Sequence, residues 1–169
     1  IVKAHIKDDW TLGTETSTTK VAYNARPFFG RFGAPIVLDG AKGEAVHDQV
    51  VIIPTATSLK DVHFAATQLS GPKGVKIPMK VRVVGFLNTS QPQNYSVEYT
   101  GWWPDPLLDY LKSCDVPYGA QQPLWLTVDI PRTAPAGRYT GKISVSPQGR
   151  KTQQVSIKLN VRNFSIPFI

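Results

Sequence analysis

At 169 residues and 41% hydrophobic composition, the chain can bury one sizeable core and is too apolar to be disordered. The net charge of +7 raises nucleic acid as a partner, but the basic residues are scattered singly. No aromatic-rich RNA motif or recognition helix accompanies them, so solvated strand faces account for the charge and no nucleic acid is expected. No apolar run reaches the roughly 18 residues of a membrane-spanning helix, and Cys114, the single cysteine, excludes an internal disulfide or a cysteine-based metal cluster.

The 14 prolines and 13 glycines are spread along the chain, as suits many short strands separated by turns. The first residue is Ile1 rather than Met, so the sequence is expected to be a trimmed piece whose missing leader says little about destination.

In chain order, Ile1 to Ile6 can form a first strand, and His5 within it carries no functional signal. Asp8 to Lys20 is polar and Thr-rich and reads as a loop containing Trp10, followed by a weak strand over Val21 to Ala25. Arg26 to Pro35 holds too many prolines and glycines for a regular element. Its Phe28, Phe29 and Phe32 still need burial. A loop that folds them onto the sandwich edge is favoured over an aromatic contact surface for a neighbouring domain.

Pro35 to Asp39 is a short strand, and Gly43 to Pro54 leads into another, in which Val50 to Ile53 is an apolar run typical of a strand covered on both sides. Glu44, His47 and Asp48 lie close in sequence, but a metal needs three or four converging ligands. They are read as polar residues satisfying a strand start, with no metal. His63, in a strand over Asp61 to Leu69, faces solvent or the domain edge.

Gly71-Pro72 breaks the chain before a strand over Met79 to Leu87. Asn88 to Asn94 is a polar turn, and Tyr95 to Tyr99 follows. Gly101 to Tyr110 (GWWPDPLLDY) interrupts the strand pattern through Pro104 and Pro106, with one helical turn over Leu107 to Leu111.

The clearest signal lies at Gln121 to Val145. Leu124, Leu126, Val128 and Ile130 alternate with Trp125, Thr127 and Asp129, then Tyr139, Gly141, Ile143 and Val145 alternate with Thr140, Lys142 and Ser144. Pro131 to Gly137 forms the turn between them. Val155, Ile157, Leu159 and Val161 close the core, and Asn163 to Phe168 leaves the domain. The expectation is an all-β, immunoglobulin-like antiparallel β-sandwich: a single domain over 1–163, with a linker starting at 164–169.

Four stretches in order, GWWPDPLL (101–108), QQPLWLTVDIP (121–131), APAGRYTGKISV (134–145) and VRNFSIP (161–167), resemble the N-terminal β-sandwich domain of glycoside hydrolase family 123 and its relatives. GEAVHDQVVIIP (43–54) is similar to a stretch at the matching place. APAGRYTG alone is common among immunoglobulin-like sandwiches; its combination with WWPDPLL and QQPLW is far more specific.

The resemblance implies a modular bacterial protein in which the sandwich precedes a (β/α)₈ barrel. That barrel hydrolyses β-linked N-acetylgalactosamine by substrate assistance, outside the two-carboxylate scheme. An adjacent Asp–Glu pair serves the family's reaction, and no such dipeptide occurs in this sequence. The only adjacent carboxylates, Asp8 and Asp9, sit in a polar stretch. No nucleophile elbow, phosphate loop or dinucleotide fingerprint is present either.

This chain by itself is therefore expected to be catalytically silent, monomeric and without cofactor. Its parent is expected in the periplasm or at the cell surface. For Trp102, Trp103 and Asp105 two roles are open: packing against the sandwich or barrel, or sugar contact, with an indole face docking a pyranose and Asp105 accepting hydroxyl hydrogen bonds. Adjacent residues on extended chain point opposite ways, so at most one of the two indoles is expected to be exposed. Trp125, out of phase with the core residues of its strand, is expected on the other sheet surface under a loop or partner domain. A generic immunoglobulin-like interaction domain is the third reading.

Overall fold

The computed structural model describes residues 8–97 and 99–167. The strand expected at Ile1 to Ile6, His5 within it, and Phe168 at the expected exit lie outside the described residues.

In chain order the strands are β1 (Trp10–Thr16), β2 (Arg31–Phe32), β3 (Ile36–Lys42), β4 (Ala45–Pro54), β5 (Leu59–Ala66), β6 (Leu69–Ser70), β7 (Lys76–Ile77), β8 (Lys80–Thr89), β9 (Gly101–Leu108), β10 (Ser113–Val116), β11 (Gln122–Asp129), β12 (Gly137–Ser146) and β13 (Gln153–Ser165). They form two sheets. One is six-stranded with order β2-β1-β4-β11-β8-β9; the other runs β10-β5-β12-β13-β3, with β6 and β7 attached beside β12. The described residues contain no α-helix.

The two sheets pack face to face as a β-sandwich. Nearly every pairing is antiparallel; β13 and β3 are parallel, Ile157 opposite Ile36 and Val161 opposite Gly40.

The core follows from alternation. On β11, Leu124, Leu126 and Val128 are fully buried; on β12 and β13, Tyr139, Ile143, Val145, Ile157 and Leu159 are too. Each such aliphatic side chain contributes about 1.5–3 kcal/mol through burial. Val50, Val51 and Ile52 of β4 are all buried, because β4 lies inside its sheet and the loop after β1 covers its outer side. β11 and β12 belong to different sheets, so Pro131 to Gly137 is an arch between layers rather than a hairpin.

Several local expectations are corrected. The polar stretch after Asp9 is strand β1, paired with β4 from Trp10↔Pro54 to Thr16↔Asp48, and Trp10 is among the most buried side chains. Its threonines are β-formers, and Thr14 is buried beside Val50. Val21 to Ala25 is not a strand but part of the crossing loop. Tyr95 to Tyr99 is irregular at its described positions. Gly101 to Leu108 is strand β9, with no helical turn at its end. It tolerates Pro104 and Pro106 because it is an edge strand, where a missing N–H breaks no ladder. β13 continues through Ser165, and the Ile166 N–H donates to the Lys42 carbonyl at 3.0 Å.

Candidate functional site

The site is built by the β8–β9 hairpin and the loop that connects β1 to β2. That loop crosses the outer face of the first sheet and is pinned from below by two glutamines, Gln49 within β4 and Gln121 just before β11. Gln49 Nε2 donates to the carbonyls of Thr16 and Thr19, both at 2.8 Å. Gln121 donates its backbone N–H to Tyr23 O at 2.7 Å and its side-chain amide to Arg26 O at 2.6 Å. Both glutamines are buried, so each bond replaces water that the side chain has lost. Gln49, a polar residue directly before the apolar run Val50 to Ile53, was a signal for this loop in the sequence.

Against this loop stand the tryptophans of β9. Trp102 pairs with Asn88 and Trp103 with Leu87, and the two indoles have different neighbours. Trp102 is 45% exposed and approaches Tyr23, whose ring also meets Phe86 edge-on at 5.0 Å. Trp103 is half-buried beside Tyr99, centroids 5.4 Å apart, with the Lys20 ammonium 5.1 Å from its ring centre. Arg26 lies over the Tyr99 ring at 6.0 Å. Lys20 Nζ also donates to the Pro104 carbonyl at 3.4 Å.

A cavity of about 680 Å³ has a lining that includes Lys20, Arg26, Ser90, Tyr95, Tyr99 and Trp103, but not Trp102. Its walls are mainly aromatic and aliphatic and its described lining contains no carboxylate. That combination can hold a ring-shaped ligand. Sequence reasoning missed Lys20 and Arg26, which the β1–β2 loop carries to the cavity, and Tyr95 and Tyr99, which lie in the connection between β8 and β9. A second crevice of about 380 Å³ runs between β1 and β13, with a polar lining that includes Thr11, Thr14, Gln153 and Lys158.

The other residues singled out from sequence fall elsewhere. Asp105 is exposed on β9. Trp125 lies two strands from β9, on β11, half-buried with its ring 5.7 Å from that of His47. Phe28 folds over Gly13 and meets Phe32 edge-on at 5.2 Å, while Phe29 is 83% exposed.

Glu44, His47 and Asp48 do not converge. The Glu44 carboxylate accepts the Ala41 N–H at 2.7 Å, and His47 Nδ1 is 3.1 Å from the Thr127 hydroxyl. Asp48 pairs in register with the core residue Leu126, on the opposite face of β4 from His47. Burial pushes the Asp48 carboxyl up to about 6, against the backbone N–H groups of Gln49 and Ser17 and the charge of Arg31. Among the described residues no three His, Cys, Asp or Glu side chains are grouped to hold a metal. His63 is exposed, 3.0 Å from Asp61.

A β-sandwich domain bearing one aromatic, cation-rimmed cavity is the class of module these features define. Residues 33–147 match the family described as glycoside hydrolase 123 N-terminal domain, and the chain belongs to that family. A family 123 glycoside hydrolase from Clostridium perfringens, studied for glycolipid glycan hydrolysis, superposes with a TM-score of 0.78 at 15% identity, over 95% of this chain and 28% of that one. The chain thus spans little more than a quarter of that enzyme's length. At this identity the likeness defines the fold.

The N-terminal domain of PorA (TM-score 0.45, 12% identity, covering 91% of this chain and 99% of that one) and the sporulation control protein Spo0M of Bacillus subtilis (0.44, 9%, 92% and 50%) are more distant. No curated protein sequence matches the chain.

Proposed function

We propose that this domain is the non-catalytic, N-terminal accessory module of a glycosidase whose reaction takes place in a following (β/α)₈ barrel. The carrying observation is the family match over residues 33–147, to a domain defined by its place at the N-terminus of glycoside hydrolase 123 proteins. Two features support the silent role. The sequence contains no Asp–Glu dipeptide, and the described linings of both cavities contain no Asp or Glu.

In this reading the parent releases β-linked N-acetylgalactosamine from glycans outside the bacterial cytoplasm. The substrate's own acetamide attacks the anomeric carbon, and the barrel provides the carboxylates. The sandwich offers the barrel rigid surface: the exposed Phe29 and the outer face carrying Trp125 and His47 are the contacts we assign to it.

The test is to express the parent's barrel with and without this domain. Loss of the sandwich is expected to lower the barrel's unfolding temperature and soluble yield, while turnover per folded barrel stays within about twofold. A barrel equally stable alone would overturn the scaffold role.

A further inference from the structure

We infer that the cavity between the β1–β2 loop and the β8–β9 hairpin is a binding site for an acidic saccharide, a pyranose bearing a carboxylate or a sulfate ester. The saccharide class rests on the glycosidase reading above; the acidic preference rests on the cavity itself.

Two cations face this cavity, and among the described residues neither has a counter-charge. The six ion pairs among the described residues engage Lys60, His63, Lys80, Arg82, Arg150 and Arg162. Lys20 and Arg26 are not among them and instead lie over the rings of Trp103 and Tyr99, at 5.1 and 6.0 Å. A ring quadrupole compensates a cation less fully than an anion does. Lys20 spends one proton on the Pro104 carbonyl and keeps two for a ligand. The Arg26 backbone carbonyl accepts from Gln121, and no described residue takes a hydrogen bond from its guanidinium fork, which can receive an oxyanion.

The walls set the shape of the ligand's remainder. Trp103 already has Tyr99 beside it and Lys20 over its ring, so it serves as a side wall rather than an open stacking platform. Tyr95, 67% exposed, offers the open ring against which sugar C–H groups can lie, and Ser90 offers a hydroxyl. About 680 Å³ is within the range of roughly 300–1,000 Å³ typical of small-ligand sites. A neutral sugar would fill the walls and offer neither cation an anion. An acidic sugar satisfies both, and the chain's +7 charge favours its approach.

The experiment is a heteronuclear NMR titration of the whole chain with four probes. They are an unsulfated tetrasaccharide of alternating glucuronic acid and N-acetylgalactosamine, its counterpart sulfated on N-acetylgalactosamine, a neutral N-acetylgalactosamine oligosaccharide of equal length, and sodium sulfate. At least one acidic tetrasaccharide is expected to shift the Trp103 indole saturably, at least about 10-fold more tightly than the neutral one. The tighter of the two identifies the anionic group. Lys20→Gln and Arg26→Gln are each expected to weaken the acidic ligand about 10-fold and leave the neutral one unchanged. Both alter exposed loop side chains, and the amide spectrum checks the fold of each variant.

Equal affinity for acidic and neutral sugars, no binding of either acidic sugar, or shifts reproduced by sodium sulfate alone would overturn the site. The accessory-domain reading fails by a different observation: a parent inactive on N-acetylgalactosaminides while the acidic sugar still binds here. An active parent with no binding here removes the site alone.

Discussion

The phenolic hydroxyl of Tyr139, at the start of β12, donates a 2.9 Å hydrogen bond to the carbonyl of Pro135, four residues upstream in the arch between the sheets. This is the tyrosine corner of Greek-key sandwiches, a side chain that locks the crossover from one layer to the other. The ring is fully buried, and its burial raises the phenol's pKa, so it remains a donor across the ordinary range. Tyr139→Phe keeps the packing and strands the Pro135 carbonyl. We expect a loss of about 1–2 kcal/mol in denaturant unfolding, with ligand titrations unchanged.

The same arch depends on Gly137, whose φ of 134° lies where side-chain-bearing residues are strained. A Cβ there would also meet Pro72 Cγ at 2.9 Å. Gly137→Ala is expected to cost about 1–3 kcal/mol. Thermal unfolding would show it as a fall of some 2–4 °C per kcal/mol at this chain length.

Asp48 gives the fold a pH dependence of definite sign. Its folded pKa of about 6 lies above the unfolded value of 3.8, so the folded state holds the proton more tightly. From this residue, stability rises as pH falls through 6 toward 4, and above 6 the ionised carboxylate costs on the order of 3 kcal/mol. Asp48→Asn should therefore stabilise the domain at pH 8, by about 1–2 kcal/mol because the new amide N–H groups gain no acceptor. The gain should vanish near pH 3.5. Urea midpoints across that range check both sign and window.

Cys114 lies half-buried in β10, and burial, with a smaller push from Asp115, raises its thiol pKa to about 11. Little thiolate exists at pH 8. Alkylation by iodoacetamide should run at least about 10-fold slower in the native chain than in guanidinium; equal rates would contradict this burial.

How much of this was legible in the sequence depended on which face each residue served. β12 and β13 alternate cleanly because one side packs on the core and the other is more open to water, while β11 alternates in residue type although its outer side is also largely covered, and the fold class followed from them. β1 was hidden because its inward positions are Trp10, Leu12 and Thr14, and a buried threonine reads as polar. β9 was hidden by Pro104 and Pro106, which forbid a central strand and suit an edge. For the site, Trp102 and Trp103 could be marked by residue type alone. Lys20 and Arg26 could not, because they reach the cavity through a loop held by Gln49 and Gln121, contacts between positions far apart in the chain.

The central claim, that this sandwich accompanies the chemistry without performing it, is tested most directly by sugar release. Equal concentrations of this chain and of its parent would be incubated with a chromogenic β-N-acetylgalactosaminide, and free sugar followed over time. The account predicts release by the parent and none above the buffer rate by the chain. Turnover by the 169-residue chain alone would contradict it and place the catalytic groups within the sandwich.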